Sequence, residues 1–248
     1  MAEPHDSSDT SPERPPEAAG SAGRADRRRR SLTDQVIARL RAAIIDGELK
    51  LGENISEERL ATAYGISRTP VRDALAALQF QGLVTVRPKR GSYVFSPTAK
   101  DVADLCDYRK MLEREALVLS MAHRPDDLLD RLERLVADMR SARAADDHAG
   151  YNRADTAFHR AFFATCDNGL VCQAYDLAEA RIAAVRTSLI SPYRDRIETS
   201  YTEHTMMLQS LRKGDVDAAC EVLGEHIDRT RTLILLDLDR TRVLDPSG

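Results

Sequence analysis

The sequence predicts a mostly α fold in two parts: three helices with a small β-hairpin, then an all-helical antiparallel bundle. Three observations predict it. Apolar residues recur at three- and four-residue steps over most of residues 31–240, the mark of amphipathic helices. One β-branched run, Leu83-Val84-Thr85-Val86, is joined to Ser92-Tyr93-Val94-Phe95 by the turn Pro88-Lys89-Arg90-Gly91, a hairpin pattern. Of the 248 residues, 42% are hydrophobic and 31% charged, enough for a core in a water-soluble, helix-rich chain.

Residues 1–30 are dense in Pro, Ser, Gly, Ala and Glu, with almost no large apolar side chain, and predict a disordered tail. The tail ends in Arg27-Arg28-Arg29-Arg30, preceded by Arg24, either a solvated charge run or an arm that lies along phosphates. Order is expected from Ser31, where Ser31-Leu32-Thr33-Asp34 has the form of a capping box. Leu32, Val36, Ile37, Leu40, Ala43 and Ile44 form one helical stripe, closed by Gly47. Ser56-Glu57-Glu58 opens a brief second helix ending at Tyr64-Gly65. Ser67 caps a third, with Pro70 in its first turn and Val71, Ala74, Leu75 and Leu78 as its buried stripe. The hairpin follows Gly82. Three helices and a hairpin within 31–97 make a winged helix-turn-helix pattern.

From Pro97 a short linker leads to a region, 98–240, of six or seven helices. Breaks are expected near Pro125, Asp146–His148, Asn168-Gly169, Pro192 and Gly214, and residues 241–248 are expected to form a C-terminal tail.

Several function classes are excluded. The longest apolar stretch, around Ala116-Leu117-Val118-Leu119, is far short of the ~18 residues of a membrane span. No apolar segment follows the N-terminal charges, so no secretory signal is expected. Cys106, Cys166, Cys172 and Cys220 form no C-x-x-C pair, which argues for reduced cysteines in a cytoplasmic protein rather than a disulfide scaffold or thiolate zinc site. The net charge of −4 argues against nucleic acid at first sight. It averages unlike parts: residues 1–30 carry net 0, residues 31–97 net +2, and residues 98–248 net −6.

The basic part is also where chemistry and spacing agree. Ser67, Arg68, Thr69 and Arg72 fall at the N-terminal end of the third helix, where recognition helices present base and phosphate contacts. Arg68 and Arg72 are four apart and share the face opposite Val71 and Leu75. Guanidinium forks there can pair with guanine O6 and N7, while hydroxyls and helix N–H groups take phosphates. Lys89 and Arg90 at the hairpin tip would reach an adjacent groove.

The string Leu60-Ala61-x-x-Tyr64-Gly65-Ile66-Ser67-Arg68-Thr69-Pro70-Val71-Arg72-Asp73-Ala74-Leu75, followed by Gly82-Leu83-Val84 and Arg90-Gly91, resembles the GntR family of transcription regulators. The resemblance covers essentially all of 31–97. It implies DNA contacts at Arg59, Ser67, Arg68, Thr69, Arg72, Arg90 and Gly91. Asp73, where the family more often has Glu, is a mild departure.

In the helical half, polar residues on apolar stripes are the informative ones. Asp155 and His159 lie four apart on one helix face. Glu203-His204 and Glu225-His226 lie on helices flanking Gly214. If those two helices form a hairpin at Gly214, His204 and His226 sit ~15 and ~18 Å from the turn, at similar height. Three imidazoles and a carboxylate suit Zn²⁺, Ni²⁺ or Mn²⁺. Spacing alone leaves ordinary core or surface histidines equally open, and His5, His123 and His148 have no such context.

Residues 99–240 resemble the FCD ligand-binding domain of FadR-type GntR regulators, through Tyr108-Arg109-x-x-Leu112-Glu113, Asp155-x-x-Phe158-His159, Asn168, Glu203-His204, Gly214-Asp215 and His226-Ile227. The resemblance implies a divalent metal at Asp155, His159, His204 and His226, its shell completed by a small carboxylate effector. It implies for Arg109 a place facing that effector, where it could clamp a carboxylate; a salt bridge to Glu113 is the other role open to it.

The expectation is therefore a homodimeric repressor that binds palindromic operator DNA and responds to an organic-acid or sugar-acid effector, with no membrane partner. Two alternatives stand beside it: a regulator for which the metal itself is the signal, and a metalloenzyme fused to a DNA-binding arm. Without a His-Glu-x-x-His pattern, a serine nucleophile elbow or a phosphate loop, an enzyme is not expected.

Overall fold

The computed structural model describes the backbone over residues 19–189 and 194–244, and side chains over 32–188 and 194–239. Ten helices and three short strands are described: α1 (Ala19–Ile45), β1 (Asn54–Ile55), α2 (Glu57–Tyr64), α3 (Arg68–Phe80), β2 (Val84–Arg87), β3 (Gly91–Val94), α4 (Ala99–His123), α5 (Pro125–Ala144), α6 (His148–Thr165), α7 (Gly169–Asp176), α8 (Glu179–Leu189), α9 (Arg194–Arg212) and α10 (Val216–Leu244).

The first helix corrects the expected start. It begins at Ala19, so Ser31-Leu32-Thr33-Asp34 lies inside α1 instead of capping it, and the segment 19–30 is helical. No proline follows Pro16 there, and Ala and Arg are good helix formers, so a chain without an apolar stripe can still extend a packed helix. Residues 1–18 lie outside the described residues. From Val36 onward the stripe behaves as expected, with Val36, Leu40 and Ile44 buried. They pack on α3, whose Val71, Ala74, Leu75 and Leu78 are buried as a face. Each buried Val, Leu or Ile side chain here stabilises by about 1.5–3 kcal/mol.

Ser56 caps α2 by accepting from the Arg59 N–H, and Gly65 ends it in the left-handed region at φ 63°. Ser67 occupies the N-cap of α3 in extended conformation, but its side chain makes no capping hydrogen bond. The hairpin is as expected, with Val84 opposite Val94 and Arg87 opposite Gly91. A strand that the sequence does not announce, β1, pairs antiparallel with β3 to give the order β1-β3-β2.

The helical half opens on a capping box. The Thr98 hydroxyl accepts from the Asp101 N–H while the Asp101 carboxylate accepts from the Thr98 N–H. The break expected near Pro192 lies outside the described residues. Within the expected tail at 241–248, α10 continues to Leu244. The α7–α8 junction at Leu177-Ala178 was not marked by any breaker residue.

Two pairings place the site: α6 packs on α5 and α4, and α9 and α10 form the hairpin at Gly214, where φ is 75°. Among the described residues, α8 reaches both halves. It packs on α1, and a Cβ at Gly82 would come within 3.1 Å of the Arg181 side chain.

Candidate metal centre and nucleic-acid interface

The α6 register puts Asp155 and His159 on one face, and the α9–α10 hairpin brings His204 and His226 to it. All four are buried, and one ligand atom from each lies within 4.8 Å of the others. The imidazoles of His204 and His226, matched in height by the hairpin, have ring centroids 4.8 Å apart.

Two rings have their outer nitrogen hydrogen-bonded, and that of His159 lies against a carboxylate without a hydrogen bond directed at it. His204 Nδ1–H donates to the Ser200 carbonyl at 2.6 Å. His226 Nδ1–H donates to Glu203 Oε2 at 2.6 Å, and Arg229 grips the same carboxylate from Nε and Nη2. His159 Nδ1 faces Glu113 Oε2 at 2.8 Å. These partners leave the Nε2 lone pairs turned inward, the arrangement that orients metal-ligating histidines. His159 Nε2 and His204 Nε2 are 3.2 Å apart, and His226 Nε2 is buried with no hydrogen-bond partner. Lone pairs converging in a buried site are the chemistry that a cation between them would satisfy. The donor set, three imidazoles and one carboxylate, fits a divalent metal of borderline softness.

The electrostatics agree. Burial lowers all three imidazoles, His226 to about 4, so they are neutral at neutral pH, the form that binds a metal. Burial alone would raise the Asp155 carboxyl, but Arg186 and the three imidazoles hold it well below the ordinary carboxylate range. Burial likewise opposes the charge on Glu203, and hydrogen bonds from His226 and Arg229 outweigh it, bringing its pKa down to about 2.

Two buried guanidiniums stand against the four residues. Arg109 Nε donates to Glu113 Oε1 at 2.6 Å, the salt-bridge role expected as one option, and its Nη2 lies 2.8 Å from His159 Nε2. Arg186 Nη1 lies 2.7 Å from Asp155 Oδ2, and its Nη2 donates to Thr156 Oγ1 at 2.8 Å.

At the other end of the molecule, Arg59, Ser67, Arg68, Thr69, Arg72, Arg90 and Gly91 are all exposed. Arg68 pairs with Glu58 at 2.9 Å and Arg72 with Glu57 at 3.0 Å, so α2 holds both guanidiniums over the N-terminal half of α3. At the hairpin, Gly91 has φ 102°, and the Tyr93 hydroxyl donates to the Arg90 carbonyl at 3.0 Å. Arg87 lies over the Tyr93 ring at 4.7 Å.

Residues 32–94 match the model of bacterial regulatory proteins of the gntR family, and residues 104–229 match the FCD domain. The chain belongs to the GntR family.

This GntR regulator is 26% identical over 196 residues to the uncharacterized HTH-type transcriptional regulator YdhC of Bacillus subtilis, covering 78% of this chain and 87% of that one. It is 22% identical over 205 residues to the gluconate operon transcriptional repressor of Bacillus licheniformis, covering 81% and 84%. A crystal structure of a GntR transcriptional regulator from Rhodococcus sp. RHA1 superposes with a TM-score of 0.74 at 25% identity, covering 83% of this chain and 98% of that one. The protein is thus a DNA-binding transcriptional regulator with a winged helix-turn-helix reader and a helical FCD domain. No helix among the described residues is long and apolar enough to cross a membrane.

Sequence reasoning brought together the four candidate ligands but missed most of what surrounds them in this GntR regulator. Glu113 was visible only as an i,i+4 partner of Arg109, although it also faces His159. Arg186 had no signal, because it reaches Asp155 from a different helix.

Proposed function

We propose that this regulator is a homodimeric repressor, released from its operator when a small carboxylate binds a divalent metal site formed by Asp155, His159, His204 and His226. The observation that carries the reading is the convergence of four buried donors, with His226 Nε2 lacking any partner. Zn²⁺, Ni²⁺ and Mn²⁺ suit that set. Such a metal supplies positive charge and an open coordination position for a carboxylate. The chain's own residues do the rest: Glu113, Ser200 and Glu203 orient the three rings, and Arg109 and Arg186 hold positive charge beside the anion's place.

At the reader, Arg68 and Arg72 take base edges, Ser67, Thr69 and the α3 N-terminus take phosphates, and Arg59, Arg90 and Gly91 contact the flanking backbone and groove. One half-site per subunit follows from the symmetry of a dimer. For the effector to act, its affinity must differ between the arrangements that fit DNA and those that do not. Helix α8 suits that coupling, since Arg186 sits at the candidate centre and Arg181 at Gly82 beside the reader. The relative named as a gluconate operon transcriptional repressor supports repression.

A second reading makes the metal itself the signal. The contact between Arg109 Nη2 and His159 Nε2 favours it, because a metal held by that lone pair would compete with the guanidinium with no organic ligand involved. Operator fragments selected from genomic DNA, titrated with protein in the presence of metal alone and of metal plus carboxylate, separate the two. Release requiring carboxylate supports the first reading, and release by sub-micromolar metal alone supports the second.

A further inference from the structure

We propose that the effector is a monocarboxylate with a short apolar tail, its carboxylate taken by Arg186 and its tail seated between α4, α8 and α10. The inference rests on the metal-and-carboxylate reading above and names the chemistry of its ligand.

Arg186 is 8% exposed, yet its Nε has no hydrogen-bond partner, and its Nη1, though close to Asp155 Oδ2, directs no hydrogen bond at it. A buried guanidinium with unused donors is unfavourable until an acceptor takes them, and a carboxylate matches its fork. Arg109 is less available, because its Nε already donates to Glu113.

Arg186 also lines two cavities, one on each side. On one side lie Tyr151, Asp155, Ser200 and His226, polar groups of the candidate centre. On the other lie Val102, Leu105, Ile182, Val185 and Ile234, together with Arg109. Among the described residues, the only uncharged polar groups lining that second cavity are Cys106 and Thr230. A sugar acid placed there would bury several hydroxyls with almost nothing to receive them, and each unmet hydroxyl lowers affinity. A methylene chain has no such need. Each cavity measures about 20 Å³, room for roughly one water-sized group, so a propyl tail enters only as the lining side chains move apart, which limits the tail to a short one. Charge on one side of Arg186 and aliphatic wall on the other therefore select an acid of butyrate type over a polyhydroxy acid.

The test is calorimetry on the full-length, metal-loaded protein with sodium butyrate, sodium acetate and sodium gluconate. Butyrate is expected to bind at least about tenfold more tightly than gluconate. Arg186→Met is expected to lose about tenfold or more in butyrate affinity while retaining stoichiometric metal and its helical circular dichroism. Because that variant removes a buried charge, Val185→Thr, nearly identical in shape, serves as the second test. It is expected to weaken butyrate about fivefold and leave acetate unchanged. Gluconate binding as tightly as butyrate, or butyrate binding unchanged in either variant, would overturn the inference while leaving the metal-and-carboxylate reading intact. A protein that holds metal but binds none of the three acids, or that holds no metal at all, would overturn both.

Discussion

Arg109 Nη2 lies 2.8 Å from His159 Nε2, so a guanidinium donor and a metal would use the same lone pair. Arg109 is 2% exposed and bound to Glu113, so its charge would remain beside a metal held there. Metal binding at the proposed centre would therefore be coupled to the position of a buried charge on α4, the first helix of the FCD domain.

Metal should stabilise the folded protein by mass action. At a free concentration 100 times its Kd, the gain is about 2.7 kcal/mol, or a rise in Tm of about 5–11 °C for a chain of this size. Differential scanning fluorimetry with Zn²⁺ or Mn²⁺ and then excess chelator checks this, the rise reversing with the chelator. His204→Ala should lose stoichiometric metal, measured by elemental analysis, and keep operator affinity. Retained metal in that variant would sink the ligand assignment.

Arg68→Ala should weaken specific operator binding and leave metal content unchanged. Its partner Glu58 is exposed, and such ion pairs contribute at most about 1 kcal/mol, so the fold should survive. Electrophoretic mobility shift with specific and scrambled duplexes reads the effect, expected at about 1–3 kcal/mol per lost bidentate contact. Wild-type affinity in this variant would contradict the placement of the recognition helix.

Between α9 and α10, Arg196 and Asp237 form a buried pair in which Arg196 Nη2 donates to Asp237 Oδ1 at 3.1 Å and Nη1 donates to Oδ2. Asp237→Ala leaves the guanidinium without that carboxylate and should destabilise by about 3–5 kcal/mol, measured by urea unfolding. The double variant Arg196→Met/Asp237→Leu should recover much of the loss.

The Thr98–Asp101 capping box predicts a pH dependence. Hydrogen bonds from the Thr98 hydroxyl and backbone hold the Asp101 carboxyl below its ordinary value of 3.8. A folded pKa below the unfolded one gives stability that is present above pH 4 and disappears as pH falls through the depressed value. Thr98→Ala should therefore be less stable by about 1 kcal/mol at pH 7, with the gap closing as pH drops below about 4. Urea unfolding of both proteins at pH 7 and pH 3 checks the sign.

Legibility in the sequence followed the range of the interactions. The stripes of α1 and α3, the hairpin, and the breaks at Pro125, Asn168 and Gly214 are local patterns, and the structure carries them. Asp155 and His159 share a face by i,i+4 spacing, and counting from Gly214 put His204 level with His226. What escaped is non-local or weakly marked. A two-residue strand at Asn54-Ile55 exists only through its pairing with Tyr93 and Ser92. The α7–α8 junction has no Gly or Pro to announce it, and the start of α1 is set by helix propensity where no apolar stripe reports it. Glu113 and Arg186 meet the candidate centre from α4 and α8, contacts that no spacing rule reaches.

The most direct test is an operator titration with metal-loaded wild-type protein and His204→Ala, each with and without carboxylate. The prediction is that carboxylate weakens operator binding by wild type about tenfold or more and leaves His204→Ala bound. Equal release of both proteins, or no release of metal-loaded wild type by any carboxylate, would contradict control of DNA binding through the Asp155, His159, His204 and His226 centre.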